Sequence, residues 1–251
     1  MEGNVEDLKN LDKLPQEVKN KIVPYSRQLF EMYPNQIRSI LIYGSATGRN
    51  YLPNHSDINL VIIFNEVGFN HLNKALKVVA KGIKQRIPAL LFLTKDYITS
   101  SLDVFPVEFL DIKENHVLIF GEDFFSSLNI PSENLRLFCE HEIKGKLIRI
   151  RQAYLERGLK GFMVEALLKE SLRTLIPIFR NLIRLKNQSV ELDKERIIFD
   201  LARTYHLEAQ VFLEILKSRT HGLRMPSAKA QEMMEKYILE LEKLAKSLDQ
   251  V

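Results

Sequence analysis

The sequence predicts an α+β N-terminal domain with a mixed sheet, followed by an all-α helical bundle. Two observations carry this prediction. Between about residues 36 and 120, the apolar residues come in short blocks rich in Ile, Val and Phe, separated by turn residues or amphipathic stretches. After Pro131 these blocks give way to long segments in which apolar residues recur every three to four positions, the period of an α-helix.

Residues 1–35 are expected to form leading helices that belong to the N-terminal domain, with Pro15 in a first helical turn and Pro24 dividing the region into two short helices. Residues 36–130 form the α+β domain proper. Its predicted strands are Ile37 to Tyr43, Ile58 to Phe64, Ala89 to Leu93 and Val107 to Ile112, with Asn115 to Phe120 as a candidate hairpin partner. Between them, Phe69 to Arg86 carries Leu72, Leu76, Val79 and Ile83 in one stripe, which predicts a crossover helix.

Residues 131–251 are predicted to be helical throughout. Ser132 is a plausible N-cap for a helix that runs to about Arg157, and a second long helix, kinked at Pro177, follows the break at Gly158 and Gly161. Further helices are predicted near Lys194 to Tyr205, Glu208 to Ser218 and Ser227 to Leu248. Packing into a bundle of four or five helices is the economical arrangement for such segments.

The composition is that of a soluble globular protein, with 251 residues, 45% of them hydrophobic, and a single cysteine that cannot form an internal disulfide. The acidic start lacks the features of a secretory signal, and the longest apolar runs are too short for a membrane span, so we expect a cytoplasmic protein without a membrane partner. The net charge is only +4, and the excess of basic residues lies in the C-terminal half. An ordinary solvated surface explains this excess better than a phosphate-bearing partner does.

One constellation carries chemistry. A buried strand ends in Gly44-Ser45, and after eleven intervening residues Asp57-Ile58-Asn59 opens a second strand. Glycine allows the backbone to approach a phosphate closely, and the serine hydroxyl and the following turn offer hydrogen-bond donors to a triphosphate. Side chains two apart on a strand point to the same face, so Asp57 and Asn59 should project together toward whatever the Gly-Ser turn holds.

The segment Ile40 to Phe64 resembles the signature of the DNA polymerase beta nucleotidyltransferase superfamily, and with the helical C-terminal half the chain resembles its kanamycin-nucleotidyltransferase-like and minimal-nucleotidyltransferase group. The resemblance implies magnesium-dependent transfer of a nucleotidyl group from a nucleoside triphosphate to a hydroxyl acceptor, through one or two Mg²⁺ ions. Asp57 would bind metal, while Gly44, Ser45 and Ser56 would bind the nucleotide. Arg49, in the loop after the Gly-Ser turn, could reach a phosphate or be a solvated loop residue.

A third carboxylate lies on a later strand in that family. Glu108 is our choice for this position, as metal ligand and as the group that activates the acceptor. Asp111 is the substitute, because an odd separation on a strand would place the two on opposite faces.

Asn59 departs from the family pattern, in which this second metal ligand is a carboxylate. An amide can lend a carbonyl oxygen to a metal but supplies no negative charge. The alternative is therefore a catalytically degenerate nucleotidyltransferase-fold protein that binds a nucleotide or a protein or RNA partner. The basic run Lys144, Lys146, Arg149 and Arg151 could serve such a partner, or it could be a solvated helix face.

Overall fold

The chain divides into two compact units, Met1–Ile130 and Pro131–Val251. A computed structural model describes residues 3–48, 51–53, 55–88, 90–186, 193–220, 222 and 224–249. The α+β class with a helical C-terminal region, predicted from the sequence, is confirmed. Within the described ranges, no helix is both long enough and apolar enough to cross a bilayer.

A four-stranded mixed sheet forms the centre of the first unit. Its strands are β1 (Ile37–Tyr43), β2 (Asn59–Phe64), β3 (Leu91–Thr94) and β4 (His116–Gly121), in the spatial order β3-β2-β1-β4. β1 pairs antiparallel with both β2 and β4, whereas β2 and β3 are parallel. The C-terminal end of β1 therefore meets the N-terminal ends of β2 and β4 at one edge of the sheet.

Helices cover both faces of this sheet: α1 (Gln16–Met32), α2 (Phe69–Lys84), α3 (Lys95–Ser100) and α4 (Pro106–Glu114). Ile40, Ile42 and Ile62 lie in one core cluster with residues of α1, and Leu41 and Val61 lie in a second with residues of α3 and α4. The two central strands are buried on both faces over Ile40, Leu41 and Ile42 and over residues 60–64, which is why these stretches are continuous apolar runs in the sequence.

The predicted strand from Val107 to Ile112 is wrong, because these residues lie in α4. Pro106 occupies the first helical turn, where its missing N–H costs nothing. Phe109 and Ile112, three apart, both pack into the second core cluster, and this spacing fits a helix but not one face of a strand. The strand at Asn115 to Phe120 exists as β4, but it pairs with β1 instead of forming a hairpin with residues 107–112.

The division of the leading region at Pro24 is also wrong. α1 continues through this proline from Gln16 to Met32. Ile22, Tyr25 and Leu29, on either side of it, are buried, and their packing offsets the backbone hydrogen bond that proline removes. The other predicted strands shift slightly: β2 begins at Asn59, β3 spans Leu91–Thr94, and Ala89 lies outside the described residues.

Five described helices make up the second unit: α5 (Ser132–Arg157), α6 (Gly161–Arg184), α7 (Lys194–Tyr205), α8 (Ala209–Thr220) and α9 (Ser227–Leu248). α6 packs against the other four and carries the largest set of buried side chains. Ser132 and Ser227 are the first residues of their helices, and the N-cap positions belong to the preceding prolines. α6 runs through Pro177 to Arg184.

Candidate functional site

The Gly44-Ser45 pair forms the turn at the end of β1, where the chain enters a short 3₁₀ segment, Gly44–Thr47. Gly44 has φ of +78°, in the left-handed region, which a residue with a side chain adopts only at a cost. Ala46 is buried, and Ser45 is half-buried. In the part of the chain that the structure describes, the Ser45 hydroxyl forms no hydrogen bond, so it remains available to a ligand.

Asn115 holds this turn from the start of β4. The backbone N–H of Gly44 donates to the carbonyl oxygen of Asn115 (3.1 Å), and Nδ2 of Asn115 donates back to the carbonyl oxygen of Gly44 (3.1 Å). The hydroxyl of Thr47 lies 2.8 Å from the same Gly44 oxygen and 2.5 Å from Oδ1 of Asn115. The Gly44 carbonyl is thus engaged on the protein side of the turn.

Asn59, the first residue of β2, lies directly opposite Tyr43 in the sheet and so stands beside the Gly-Ser turn. A Cβ atom placed on Gly44 would lie 3.4 Å from Nδ2 of Asn59. Asp57 is exposed, Ile58 is fully buried and Asn59 is half-buried, which is the predicted alternation of polar and apolar residues. The structure therefore brings Gly44, Ser45 and Asn59 together at one edge of the sheet, with Asp57 two residues before the strand.

Arg86, which the sequence analysis did not identify as a site residue, forms an ion pair and hydrogen bonds with the segment that carries Asp57. Its Nη2 lies 3.1 Å from Oδ1 of Asp57 and donates to the backbone oxygen of His55 (2.5 Å), and its Nε lies 3.4 Å from the oxygen of Ser56. The backbone oxygen of Arg86 also accepts from the N–H of Ile58 (2.8 Å). The resemblance implies that the Asp57 carboxylate binds a metal ion. In the structure, the guanidinium of Arg86 provides the positive charge beside this carboxylate.

Ser56 has a structural role in the loop before β2. Its hydroxyl accepts a hydrogen bond from the N–H of Leu52 (2.9 Å), and its own N–H donates to the oxygen of Leu52 (2.9 Å). Arg49 lies outside the described residues. Of the four predicted nucleotide contacts, Gly44 and Ser45 lie at the turn, and Ser56 lies in the loop that leads to β2.

Positive charge also lies near this loop on the side of Tyr51. Burial raises the pKa of the Tyr51 hydroxyl, while the charges of Lys21 and Arg86 act in the opposite direction. Lys21 is itself paired with Glu17, at 2.6 Å. Of the two cations Lys21 and Arg86, Arg86 is therefore the one that pairs with the Asp57 carboxylate.

Glu108 does not lie on a strand, contrary to the prediction. It is an exposed residue in the first turn of α4. Neither strand that follows β2 contains an acidic residue, since β3 reads Leu-Phe-Leu-Thr and β4 reads His-Val-Leu-Ile-Phe-Gly. The family's position for a third carboxylate on a later strand has no acidic residue among these two described strands.

The helical setting changes the relation between Glu108 and Asp111. Residues three apart on a helix are neighbours, so the two share a side of α4 instead of lying on opposite faces. Asp111 is one turn from Asn115, whose N–H donates to the backbone carbonyl oxygen of Asp111 (3.1 Å), and Glu108 is nearly a turn further away. Along α4, Asp111 therefore lies closer to Asn115 than Glu108 does, and Glu114, the last residue of the helix, directly precedes Asn115.

The residues of this edge do not fit a preassembled two-magnesium centre. Such a centre needs several hard oxygen ligands with negative charge. Asp57 is paired with Arg86, Asn59 is an amide, and the described ranges contain no cluster of three or more His, Cys, Asp or Glu side chains able to hold a metal ion.

Ion pairs account for most of the basic run on α5. Lys144 pairs with Glu140 (2.7 Å) and Asp249 (2.5 Å), and Arg151 pairs with Glu242 (2.5 Å). Arg149 lies 3.9 Å from Glu142. Such pairing is typical of a solvated helix face and gives no separate indication of a nucleic-acid surface.

Comparison with solved structures gives the same fold. The chain is similar to the crystal structure of spectinomycin adenyltransferase AAD(9) from Enterococcus faecialis with ATP and spectinomycin, with a TM-score of 0.53 and 12% sequence identity. The match covers 90% of this chain and 98% of that chain. No protein-family model and no curated protein matches the sequence. At this identity the likeness shows the shared fold alone.

Proposed function

We propose that this chain binds a nucleoside triphosphate at the Gly44-Ser45 turn. It would do so as a nucleotidyltransferase-fold protein that has fewer metal-binding carboxylates than the family pattern. The turn itself is the observation that carries the proposal. Gly44 holds a left-handed backbone without a side chain, and Asn115 engages its carbonyl from the protein side. The half-buried Ser45 hydroxyl remains for a phosphate oxygen.

The charge balance at the turn supports binding without a metal ion. A triphosphate carries several negative charges, and a site with three carboxylates needs metal ions to offset the repulsion. Here Asn59 is neutral, and Arg86 compensates the charge of Asp57. A nucleotide therefore meets a neutral amide and a guanidinium, to which a phosphate can form charge-assisted hydrogen bonds.

Titration of ATP into the full-length chain tests the location of this site. Ser45→Ala removes a hydroxyl that has no other described partner, so we expect the protein to stay folded and the affinity for ATP to fall about three- to tenfold, the loss of one hydrogen bond. Ser100→Ala, at an exposed position of α3, is the matched control and should bind ATP like the unaltered chain. Equal affinity of Ser45→Ala and the control would place the nucleotide elsewhere or nowhere.

Nucleotidyl transfer to a hydroxyl acceptor is the second candidate. It is favoured by Asp57 before β2 and by Asp111, with Glu108 beside it, on the helix that precedes Asn115. Magnesium commonly enters a site with the substrate's phosphates and needs only one or two carboxylates there. Incubation with labelled nucleoside triphosphates and Mg²⁺ distinguishes the candidates: product that forms with the unaltered chain and disappears with Asp57→Ala supports transfer.

A further inference from the structure

A cavity of about 350 Å³ lies beside β4, an edge strand of the sheet in the first unit. The leading segment is tied to this strand, because the N–H of Lys9 donates to the backbone oxygen of Ile119 (2.9 Å) and Nδ2 of Asn10 donates to that of Leu118 (2.9 Å). Besides the first residues of β4, the cavity is lined by Lys9, Asn10, Lys13, Lys113, Asp123 and Ser126. The hydrogen bonds therefore fix one wall of the cavity against the strand.

Three lysines reach this cavity from two parts of the chain. Lys9 and Lys13 lie in the leading segment, and Lys113 lies in the last turn of α4. Backbone oxygens fix two of the ammonium groups: Nζ of Lys9 donates to Gly121 (2.6 Å), and Nζ of Lys113 donates to Leu128 (2.7 Å). A carbonyl oxygen takes one of the three N–H groups of an ammonium group and leaves its charge uncompensated. The cavity thus holds two fixed cations and a third, Lys13, on an exposed side chain.

The carboxylate at the cavity does not neutralise these lysines. In the part of the chain that the structure describes, none of the three forms an ion pair, whereas Lys95 of the same unit pairs with Glu122 (2.6 Å). Asp123 is the acidic residue among the described lining residues, and both of its oxygens are occupied. Nε2 of His116 lies 3.1 Å from each of them, and Ser126 donates to them through its N–H (3.0 Å) and its hydroxyl (2.7 Å). The lining therefore has an excess of positive charge.

The chemistry of this lining favours a phosphate group as the ligand. Ammonium groups around one cavity repel each other unless an anion lies between them. A phosphate monoester carries a charge of about −1.5 to −2 at pH 7 and offers three strong acceptor oxygens, one for each lysine. Lysine binds phosphate as a compact point charge, whereas a planar carboxylate is best matched by the fork of an arginine, and no arginine is among the described lining residues. The volume lies within the range of small-molecule sites, roughly 300–1,000 Å³.

From the three lysines and the occupied carboxylate, we propose that this cavity binds the phosphate group of a small phosphorylated molecule. Lys9, Lys13 and Lys113 would each donate to a phosphate oxygen, and the second N–H of the Asn10 amide would remain for the rest of the ligand. The site uses none of the residues of the Gly44-Ser45 turn. It is therefore a second site, and it does not rest on the nucleotide proposal.

The test follows the binding of glycerol phosphate to the full-length chain by phosphorus NMR at low and moderate salt. We expect saturable binding that weakens as salt increases, because the attraction comes from partly exposed charges. An excess of glycerol should not displace the ligand, since the phosphate supplies the recognised charge. A parallel titration with inorganic phosphate should give weaker binding than glycerol phosphate, because the cavity has room for more than the phosphate group.

Three pairs of substitutions locate the binding. Lys13→Gln combined with Lys113→Gln removes two of the three positive charges and should weaken glycerol phosphate binding about tenfold or more. Lys77→Gln combined with Lys81→Gln, at exposed positions of α2, changes the net charge equally and is the matched control, which should bind like the unaltered chain. Lys13→Arg combined with Lys113→Arg keeps both charges and should retain the affinity within about threefold, because a guanidinium also donates to phosphate.

Four results would overturn the proposal. One is the absence of saturable binding of glycerol phosphate, and another is an equal loss in the two pairs of Gln variants, which would indicate attraction by net charge alone. The third is tighter binding of inorganic phosphate than of glycerol phosphate, since the site would then take the free ion. The fourth is a comparable loss in Ser45→Ala, which would place the phosphate at the Gly-Ser turn. Normal glycerol phosphate binding by Ser45→Ala supports the second site even if ATP does not bind.

Discussion

The guanidinium of Arg86 faces the carboxylate of Asp57, with Nη2 3.1 Å from Oδ1. Asp57 opens the segment that resembles the metal-binding motif of nucleotidyltransferases, and Arg86 follows helix α2 with a positive φ of 63°. The same side chain also binds two backbone oxygens of the Asp57 loop. A basic side chain thus takes the place at Asp57 that a cation would otherwise fill, and this relation decides what we expect of the site.

Arg86→Gln should weaken ATP binding more than it weakens the fold. Both members of the pair are partly exposed, so the loss of unfolding free energy should stay below about 1 kcal/mol. The loss of a charged donor to phosphate should reduce the affinity for ATP roughly tenfold. Calorimetric titration and urea unfolding measure the two quantities. Arg38→Gln, at the other end of β1, is the control, and equal losses in both variants would contradict a specific role for Arg86.

Asn59→Asp should make nucleotide binding depend on Mg²⁺. The new carboxylate stands beside Gly44 and repels the triphosphate unless a cation compensates it. Without metal we expect weaker ATP binding than in the unaltered chain, and with millimolar Mg²⁺ a recovery of at least tenfold. If the affinity of this variant for ATP were the same with and without Mg²⁺, position 59 would not face the phosphates.

Asn115→Ala should loosen the Gly-Ser turn. The substitution removes the Nδ2 donor to the Gly44 oxygen and the contact with Thr47, while the backbone bond to Gly44 persists. We expect the free energy of unfolding, measured in urea, to fall by about 1 kcal/mol, and we expect ATP to bind more weakly. Asn20→Ala, on the exposed side of α1, serves for comparison. Unchanged nucleotide affinity in Asn115→Ala would separate the turn from the binding site.

Cys139 should be inert in the native protein. Its side chain is fully buried in α5, and burial raises the pKa of the thiol to about 12, with the nearby charge of Glu142 acting in the same direction. The thiol pKa is higher in the folded state than in the unfolded state, so the contribution of this group to the free energy of unfolding is fully present below about pH 8.5. It is lost as the pH rises toward 12. A thiol reagent at pH 8 should react only on unfolding, and stoichiometric reaction with the native chain would contradict the burial.

The sequence was sufficient for the parts of the fold that local patterns determine. The pattern of apolar residues predicts β1, β2 and the long helices of the second unit, because burial imposes that pattern on the sequence. Gly158 and Gly161 mark the break between the first two of these helices. It failed at Val107 to Ile112, where six mixed residues fit both a strand and a helix, and the tertiary contacts of Phe109 and Ile112 decide.

The site divides in a similar way. Gly44, Ser45 and Asn59 could be placed together from their spacing and their strand context. Arg86 and Asn115 could not, because they are distant in sequence from the residues that they hold, and only the pairing of β2 with β3 and of β1 with β4 brings them to this edge. The outward direction of the α2 stripe is likewise a tertiary property, since Ala75, Val78 and Gly82 cover the core instead.

The most direct test of the account is the affinity of the full-length chain for ATP, measured by calorimetry in EDTA and again in millimolar Mg²⁺. We predict saturable binding in EDTA, with an affinity within about threefold of that in Mg²⁺, because Arg86 and Asn59 leave no uncompensated carboxylate pair at the turn. Binding that occurs only with Mg²⁺, or no binding under either condition, would contradict it.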